Sequence, residues 1–314
     1  MLKFLCFILM LFMPIQANSQ VLTIVTPALN DAHTINARIF SKYLRKYLPD
    51  HPTIIFEQVF GAEGLIEANY LYNNASKDGN TIGVLFKNIP IIGAIGGPNV
   101  KFDPSKFTWL GSTADGHKDA VLLLSNKPYD GNLILGSDNV VTADPIKFIQ
   151  RVTGWNIKEV LGYHDQSEIR LAVQRGEIDG MVNSMIGIQS SIPQWFDDNS
   201  KIKPLLQFGN GNLKHPKFPD VPTLYELTSE KDRPSLKIFE DQFRLLRPYI
   251  APPGIPEKRS MELREAFNKA SNDPEYIEEA AKVNINVSPI EYQEAQKIID
   301  NTMKTDKSIL DTIK

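Results

Sequence analysis

Gly61-Ala62-Glu63-Gly64 stands directly before Leu65–Tyr72, a run with apolar residues at helical spacing. A helix start preceded by glycines leaves backbone N–H groups without acceptors and carries partial positive charge, a combination that suits an anion such as a carboxylate. The same four residues also make an ordinary turn. A carboxylate at one helix N-terminus gains only about 0.3–1 kcal/mol, up to ~2 when partly buried, so hydroxyls, water or further donors must act with it. Several side chains could supply them. Ser137 and Thr142 flank a polar loop before the helix start Asp144-Pro145; either is otherwise a routine cap or turn residue. Tyr163 follows a short strand-like run and offers an apolar ring with a hydroxyl. Asp179, in Gly176-Glu177-Ile178-Asp179-Gly180, could receive a ligand amine or simply brace the turn, and Asn183 lies just beyond it. Lys87 and Asn88 close the third strand-like run, and Lys87 is the nearest cation to such a site.

Catalytic chemistry finds little support. The five histidines, His33, His51, His117, His164 and His215, lack zinc-ligand spacing, and no second ligand type clusters with them. There is no Gly-x-Ser-x-Gly elbow, no Walker loop and no Gly-x-Gly-x-x-Gly after a strand. Gly93 to Pro98, "GAIGGP", has glycines without phosphate-loop spacing and reads as a turn. Neither a metal nor a cofactor is expected.

The elements that must position these residues start after a short leader. Residues 1–19 carry one early charge, Lys3, an apolar run from Phe4 to Met13 and then Ala17-Asn18-Ser19, the pattern of a secretory signal peptide cleaved after Ser19. The only cysteine, Cys6, lies inside that run, so the exported chain is expected to lack disulfides and to reside in a bacterial periplasm. Removing Lys3 takes the formal net charge from −3 to −4. No basic cluster suggests nucleic acid as a partner.

About 295 residues remain, enough for roughly two domains. Val21–Thr26, Thr53–Val59 and Thr81–Phe86 read as strands, alternating with helices over Thr34–Leu48 and Leu65–Tyr72. The pattern is that of βαβ units around a parallel sheet. The alternation restarts near residue 125. Leu133–Leu135, Lys158–Leu161, a strand after Gly180 and Ile202–Gly209 are strands, and helices begin at Asp144-Pro145 and at the capping box Asp165-x-x-Glu168. Proline-rich connectors at His215–Thr223 and Arg247–Pro256 then lead to mostly helical sequence. The expected plan is a first α/β lobe over 20–124, a second over 125–245, and a return to the first over 246–314. Two such lobes enclose a cleft at the carboxyl ends of their strands.

"GAEGLIEANYLYNNASKDGNTIG", "GYHDQSEIRLAVQRGEIDG", "KIKPLLQFG", "HPKFPDVPTLYEL" and "YIAPPGIPEKRSMELREAFNKASNDPEY" together resemble the solute-binding proteins of the tripartite tricarboxylate transporter family, the Bug-type periplasmic receptors. The resemblance spans the mature chain. It implies a type II periplasmic binding protein fold, two α/β lobes that close on a small carboxylate-bearing solute and pass it to a membrane permease. It also implies that backbone N–H groups of two first-lobe loops hold the carboxylate. The second loop matches Gly61, Ala62, Glu63 and Gly64, with Glu63 in place of a glycine. The first, matching Pro27, Ala28, His33 and Thr34, contains no glycine here, and Thr34 stands where the family usually has aspartate. Asp31 and Glu63 add negative charge, which disfavours a polyanion if both point inward.

The reading is therefore a non-catalytic, monomeric periplasmic receptor for a small organic acid or related polar metabolite, served by a permease of the tripartite tricarboxylate type. The alternatives are a sensor presenting its closed form to a membrane histidine kinase, an enzyme on the same fold, and an exported structural protein that has lost its ligand.

Overall fold

The computed structural model describes residues 20–27, 32–118, 120–137, 144–163 and 165–313. Residues 1–19, expected as a signal peptide, and the candidate site residues Ala28 and Thr142 lie outside them. In chain order the first elements are β1 (Val21–Thr26), α1 (Ala32–Tyr47), β2 (Thr53–Gln58), α2 (Leu65–Asn73), β3 (Thr81–Val84), α3 (Ile89–Ile95) and β4 (Thr108–Ser112). There follow β5 (Val121–Ser125), β6 (Leu133–Gly136), α4 (Pro145–Thr153), β7 (Ile157–Val160), α5 (Gln166–Arg175), β8 (Gly180–Ser184), α6 (Met185–Ser191), β9 (Lys203–Phe208), α7 (Leu224–Leu227) and α8 (Arg233–Arg244). The chain ends with β10 (Pro248–Ala251), α9 (Glu257–Ser271), α10 (Pro274–Lys282), β11 (Ile290–Glu291), α11 (Tyr292–Met303) and α12 (Lys307–Leu310).

These elements build two sheets, in the orders β11-β4-β10-β3-β1-β2 and β7-β6-β8-β5-β9. The βαβ reading holds within each: β1, β2 and β3 are parallel, as are β6, β7 and β8. It fails for the strands next to the crossings between sheets, since β10 runs antiparallel to β3 and β4, and β5 antiparallel to β8 and β9. A strand that enters a sheet from the neighbouring lobe has no crossover helix to make it parallel. β5, which sequence reading leaves at the end of the first lobe, pairs in the second sheet. The "GAIGGP" segment also differs from its reading as a turn. Gly93, Ala94 and Ile95 complete α3, and Gly96, with φ of 73°, ends it; Pro90 near the helix start and buried Ile89, Ile91 and Ile92 explain why it forms.

Buried Leu22 and Ile24 of β1 and the apolar stripe of α1 close the first core around Phe40, whose ring meets Tyr249, Phe267 and Tyr276 at centroid distances of 5.0–5.2 Å. In the second sheet Phe148 of α4 stacks on Phe239 of α8 at 4.0 Å. Ile309, Leu310 and Ile313 join that second cluster, and Thr312 hydrogen-bonds Ser235 at 2.8 Å, so the chain's end rests on α8.

Two crossings link the sheets and run side by side. Thr113 N–H donates to Arg247 O at 3.2 Å and Leu246 N–H to Ala114 O at 3.2 Å. Their registers fix the edge from which they leave. Ser112 pairs with Pro248, Tyr249 with Val84, and Val121 with Ser184, so both crossings depart from the carboxyl ends of the parallel strands. A cleft at those ends lies beside its own hinge.

Candidate functional site

At the carboxyl edge of the first sheet, β1 ends in buried Pro27, and the start of α1 carries His33 and buried Thr34. His33 Nε2 hydrogen-bonds Leu246 O at 3.0 Å and its ring meets Phe86 edge-on at 4.9 Å, so this residue ties α1 to the second crossing. β2 is held to β1 by Val59 N–H donating to Thr26 O at 3.1 Å, and then leaves through Phe60, which is 69% exposed.

Gly61 (φ 125°), Ala62 (φ 44°) and Gly64 (φ 84°) all have positive φ, and Ala62–Gly64 form a 3-10 turn that contains Glu63. Gly64 then opens α2 without any side-chain cap. That feature separates α2 from the helices of the second sheet's edge. Asp144 caps α4, Asp165 caps α5 and Ser184 caps α6, each accepting from first-turn N–H groups. The backbone geometry at Gly64 is closed to larger residues, because a Cβ there would stand 2.9 Å from Phe86 Cδ2 and 3.3 Å from Ile89 Cδ1. Glu67, in the first turn of α2, is fully buried. Sequence reasoning did not single out Glu67; only the orientation of α2 puts this carboxylate on the inner face with Ala68 and Leu71.

β3 exits to Lys87 and Asn88. Lys87 Nζ stands 4.7 Å above the Phe243 ring of α8 and so reaches across to the other lobe. Asn88 is 8% exposed, with Oδ1 buried and lacking a hydrogen-bond donor.

At the facing edge of the second sheet, Ser137 follows β6 and donates its N–H to Val160 O at 2.9 Å. Tyr163 follows β7, half-buried; a Cβ added to Gly136 would lie 3.1 Å from its ring. Burial, with Glu177 and Glu168 nearby, raises the Tyr163 phenol above its ordinary range, so it remains a neutral donor. Asn183, near the end of β8, donates from Nδ2 to Gln166 Oε1 at 3.0 Å.

Asp179 is placed apart from these. It precedes β8, and β8 runs parallel to β6 with Gly180 opposite Leu135, which puts Asp179 at the amino-terminal edge. Its Oδ2 accepts Ile134 N–H at 2.7 Å and lies 3.3 Å from Lys127 Nζ. The brace reading of this aspartate is the one realised in the fold. Strand direction separates it from Asn183, four residues on.

The arrangement is two sheet edges bearing backbone donors, hydroxyls and amides, with the crossings alongside; among the described residues no three His, Cys, Asp or Glu side chains gather as a metal-sized group. Residues 135–314, more than half of the chain, match the model of the tripartite tricarboxylate transporter family receptor, TctC. The chain belongs to this family. Solved structures agree on the fold of this receptor. A TctC solute binding protein from Polaromonas is 16% identical, with 94% of this chain and 99% of that one covered and a TM-score of 0.66. MatC from Rhodopseudomonas palustris with bound malate is 18% identical over 94% and 99% of the chains, with a TM-score of 0.65. An R. palustris protein with adipate is 15% identical over 94% and 98%, with a TM-score of 0.62. At these identities the likeness shows the type II periplasmic binding protein fold with its two α/β lobes. No curated protein sequence matches the chain. Among the described residues, no helix is long and apolar enough to cross a membrane.

Proposed function

We propose that this TctC-family receptor is a non-catalytic periplasmic solute-binding protein that closes on one small carboxylate-bearing metabolite and delivers it to a tripartite tricarboxylate-type permease. The observation that carries this is the uncapped, glycine-opened start of α2 at the carboxyl edge of β2, set against three helix starts across the cleft that are capped by their own side chains. The fold-level neighbours with malate and adipate support the ligand class. Gly61, Ala62, Glu63 and Gly64, with Pro27, Ala28, His33 and Thr34, form the carboxylate cradle; Lys87, Asn88, Ser137, Thr142, Tyr163 and Asn183 contact the rest of the solute. The buried Glu67 carboxylate beside the cradle favours a solute with a single carboxylate there over a polyanion such as citrate. The protein is exported with residues 1–19 removed and works as a monomer, with its lobes meeting at the crossings near residues 113–120 and 245–248.

Closure and binding are one equilibrium, because the solute favours the closed form only through contacts it makes there. A thermal-shift screen of mono-, di- and tricarboxylates, amino acids and aromatic acids tests the ligand class, since a ligand of the folded state raises the apparent Tm. A hit from a neutral compound class alongside failure of every carboxylate overturns it. For the cradle, Gly64→Val is expected to weaken solute binding at least tenfold, about 1.4 kcal/mol or more, in a variant that retains its circular dichroism. Unchanged affinity in calorimetry removes the α2 start from the site.

A further inference from the structure

Asp144 and Glu159 meet at the second sheet's carboxyl edge in a way that no cap or ion pair explains. Asp144 is 3% exposed and uses one oxygen, Oδ1, to accept Ile146 N–H at 2.7 Å and Lys147 N–H at 3.5 Å. Its other oxygen, Oδ2, is buried without a donor, and so is Glu159 Oε1 on β7. These two carboxyl groups are each other's hydrogen-bonding neighbours. Two ionised carboxylates have only acceptors to offer, so the contact requires a proton on one of them.

Among the described residues no other group supplies that proton or a compensating charge. Ser137, at the end of β6, hydrogen-bonds Glu159, and Lys147 of α4 holds Nζ 3.9 Å from Asp144 Oδ2 with its side chain about half exposed. Those residues, with Asp144 itself, are the main polar and charged groups acting on Glu159 among the described residues. The lysine is too exposed and too distant to neutralise a buried pair.

We propose that Glu159 carries a proton that it donates in a hydrogen bond to Asp144 between the end of β7 and the start of α4, a clasp that makes this edge of the second sheet tighter in mild acid than in base. The inference is independent of which solute the cleft takes. Burial first, and the Asp144 carboxyl second, raise the Glu159 acid up to about 7. A folded-state value above the unfolded one means stabilisation that is complete below the unfolded carboxyl range and is lost as pH rises through about 7.

Thermal unfolding of the full mature protein between about pH 5 and pH 8.5 tests this against Glu159→Gln. The amide donates to Asp144 at every pH, so this variant is expected to lack the fall in Tm that the wild type shows through neutrality, and to be the more stable of the two at pH 8.5. Asp144→Asn serves as the second variant: its oxygen can still cap α4 while its amide donates to an ionised Glu159, giving the same flattened profile. Infrared spectra near pH 5.5 are expected to show a buried protonated-carboxyl band that is absent from Glu159→Gln. Parallel Tm profiles of wild type and either folded variant, or no such band, overturn the Glu159 proton.

Discussion

Gly116→Ala is expected to destabilise the receptor by about 3 kcal/mol or more, lowering Tm by roughly 6 °C or more, although it adds one methyl group. Gly116 lies in the first crossing where it passes the last turn of α8. A Cβ there would stand 2.0 Å from Phe243 O and 3.0 Å from Phe243 C. A backbone carbonyl in a packed helix end cannot rotate away as a flexible side chain would, so either the crossing or α8 must shift. The same shift would move the segment that carries Asp115, whose carboxylate lies 3.9 Å from Arg244, and Arg244 in turn holds Glu294 of α11 at 2.8 Å. Gly131→Ala provides the control. Gly131 has φ of 106° but nothing within 4 Å of the added atom, so only backbone strain of about 1 kcal/mol is expected. Equal Tm losses for the two variants, measured by calorimetry, would sink the steric account of the crossing.

Asn36→Ala is expected to cost about 3 kcal/mol. Asn36 is fully buried on α1, donates from Nδ2 to Thr113 Oγ1 at 2.9 Å and accepts the Tyr276 hydroxyl at 2.6 Å. Truncation removes both bonds and leaves the Tyr276 hydroxyl buried without that acceptor, and an orphaned buried group costs about 1–3 kcal/mol beyond the lost bond. Burial pushes the Tyr276 phenol up to about 12, so ionisation offers no relief at ordinary pH. Tyr276→Phe removes the donor instead. In a double-mutant cycle the Asn36→Ala/Tyr276→Phe variant should be less destabilised than the sum of the two singles by about 1 kcal/mol or more. Strict additivity in urea unfolding would mean that the three side chains do not act as one network.

These two sites share a location at the crossings between the sheets. Thr113 opens the first crossing, Gly116 carries it past α8, and His33 anchors the α1 start to the second crossing through Leu246 O. The first lobe, which carries the α2 start, is thus tied to both crossings by direct contacts of buried and half-buried residues.

Much of this was legible in residue order. Alternating apolar periods gave the strands from Val21, Thr53 and Thr81 and the helix after Thr34; Asp144-Pro145 and Asp165 announced helix starts that the structure places with both aspartates as caps. Gly61 and Gly64 announced a helix start without a side-chain cap, and both take positive φ, which is cheap only for glycine. Such signals are local, carried by residues within a turn or two of one another. Ala62, at φ of 44°, took the same backbone region without glycine's freedom, held there by the turn around it.

What only the tertiary structure decided is what depends on strand direction and on contacts between distant residues. Asp179 and Asn183 sit together in sequence yet at opposite edges of the sheet, because β8 runs the full distance between them. Asp144 and Glu159 carry no mutual sequence signal, and they meet because α4 packs across the sheet and brings its first residue to the end of β7. Gly116 is one glycine among many until the last turn of α8 is laid against it. By itself the sequence determined the alternation and the glycine-opened helix start, since periodicity and caps are written in neighbouring residues, and its ordered blocks carried the resemblance to the family that the match over residues 135–314 shows. The antiparallel crossing strands, the hinge contacts and the facing carboxyl groups came from long-range packing, whose partners lie too far apart along the chain for any local preference to specify.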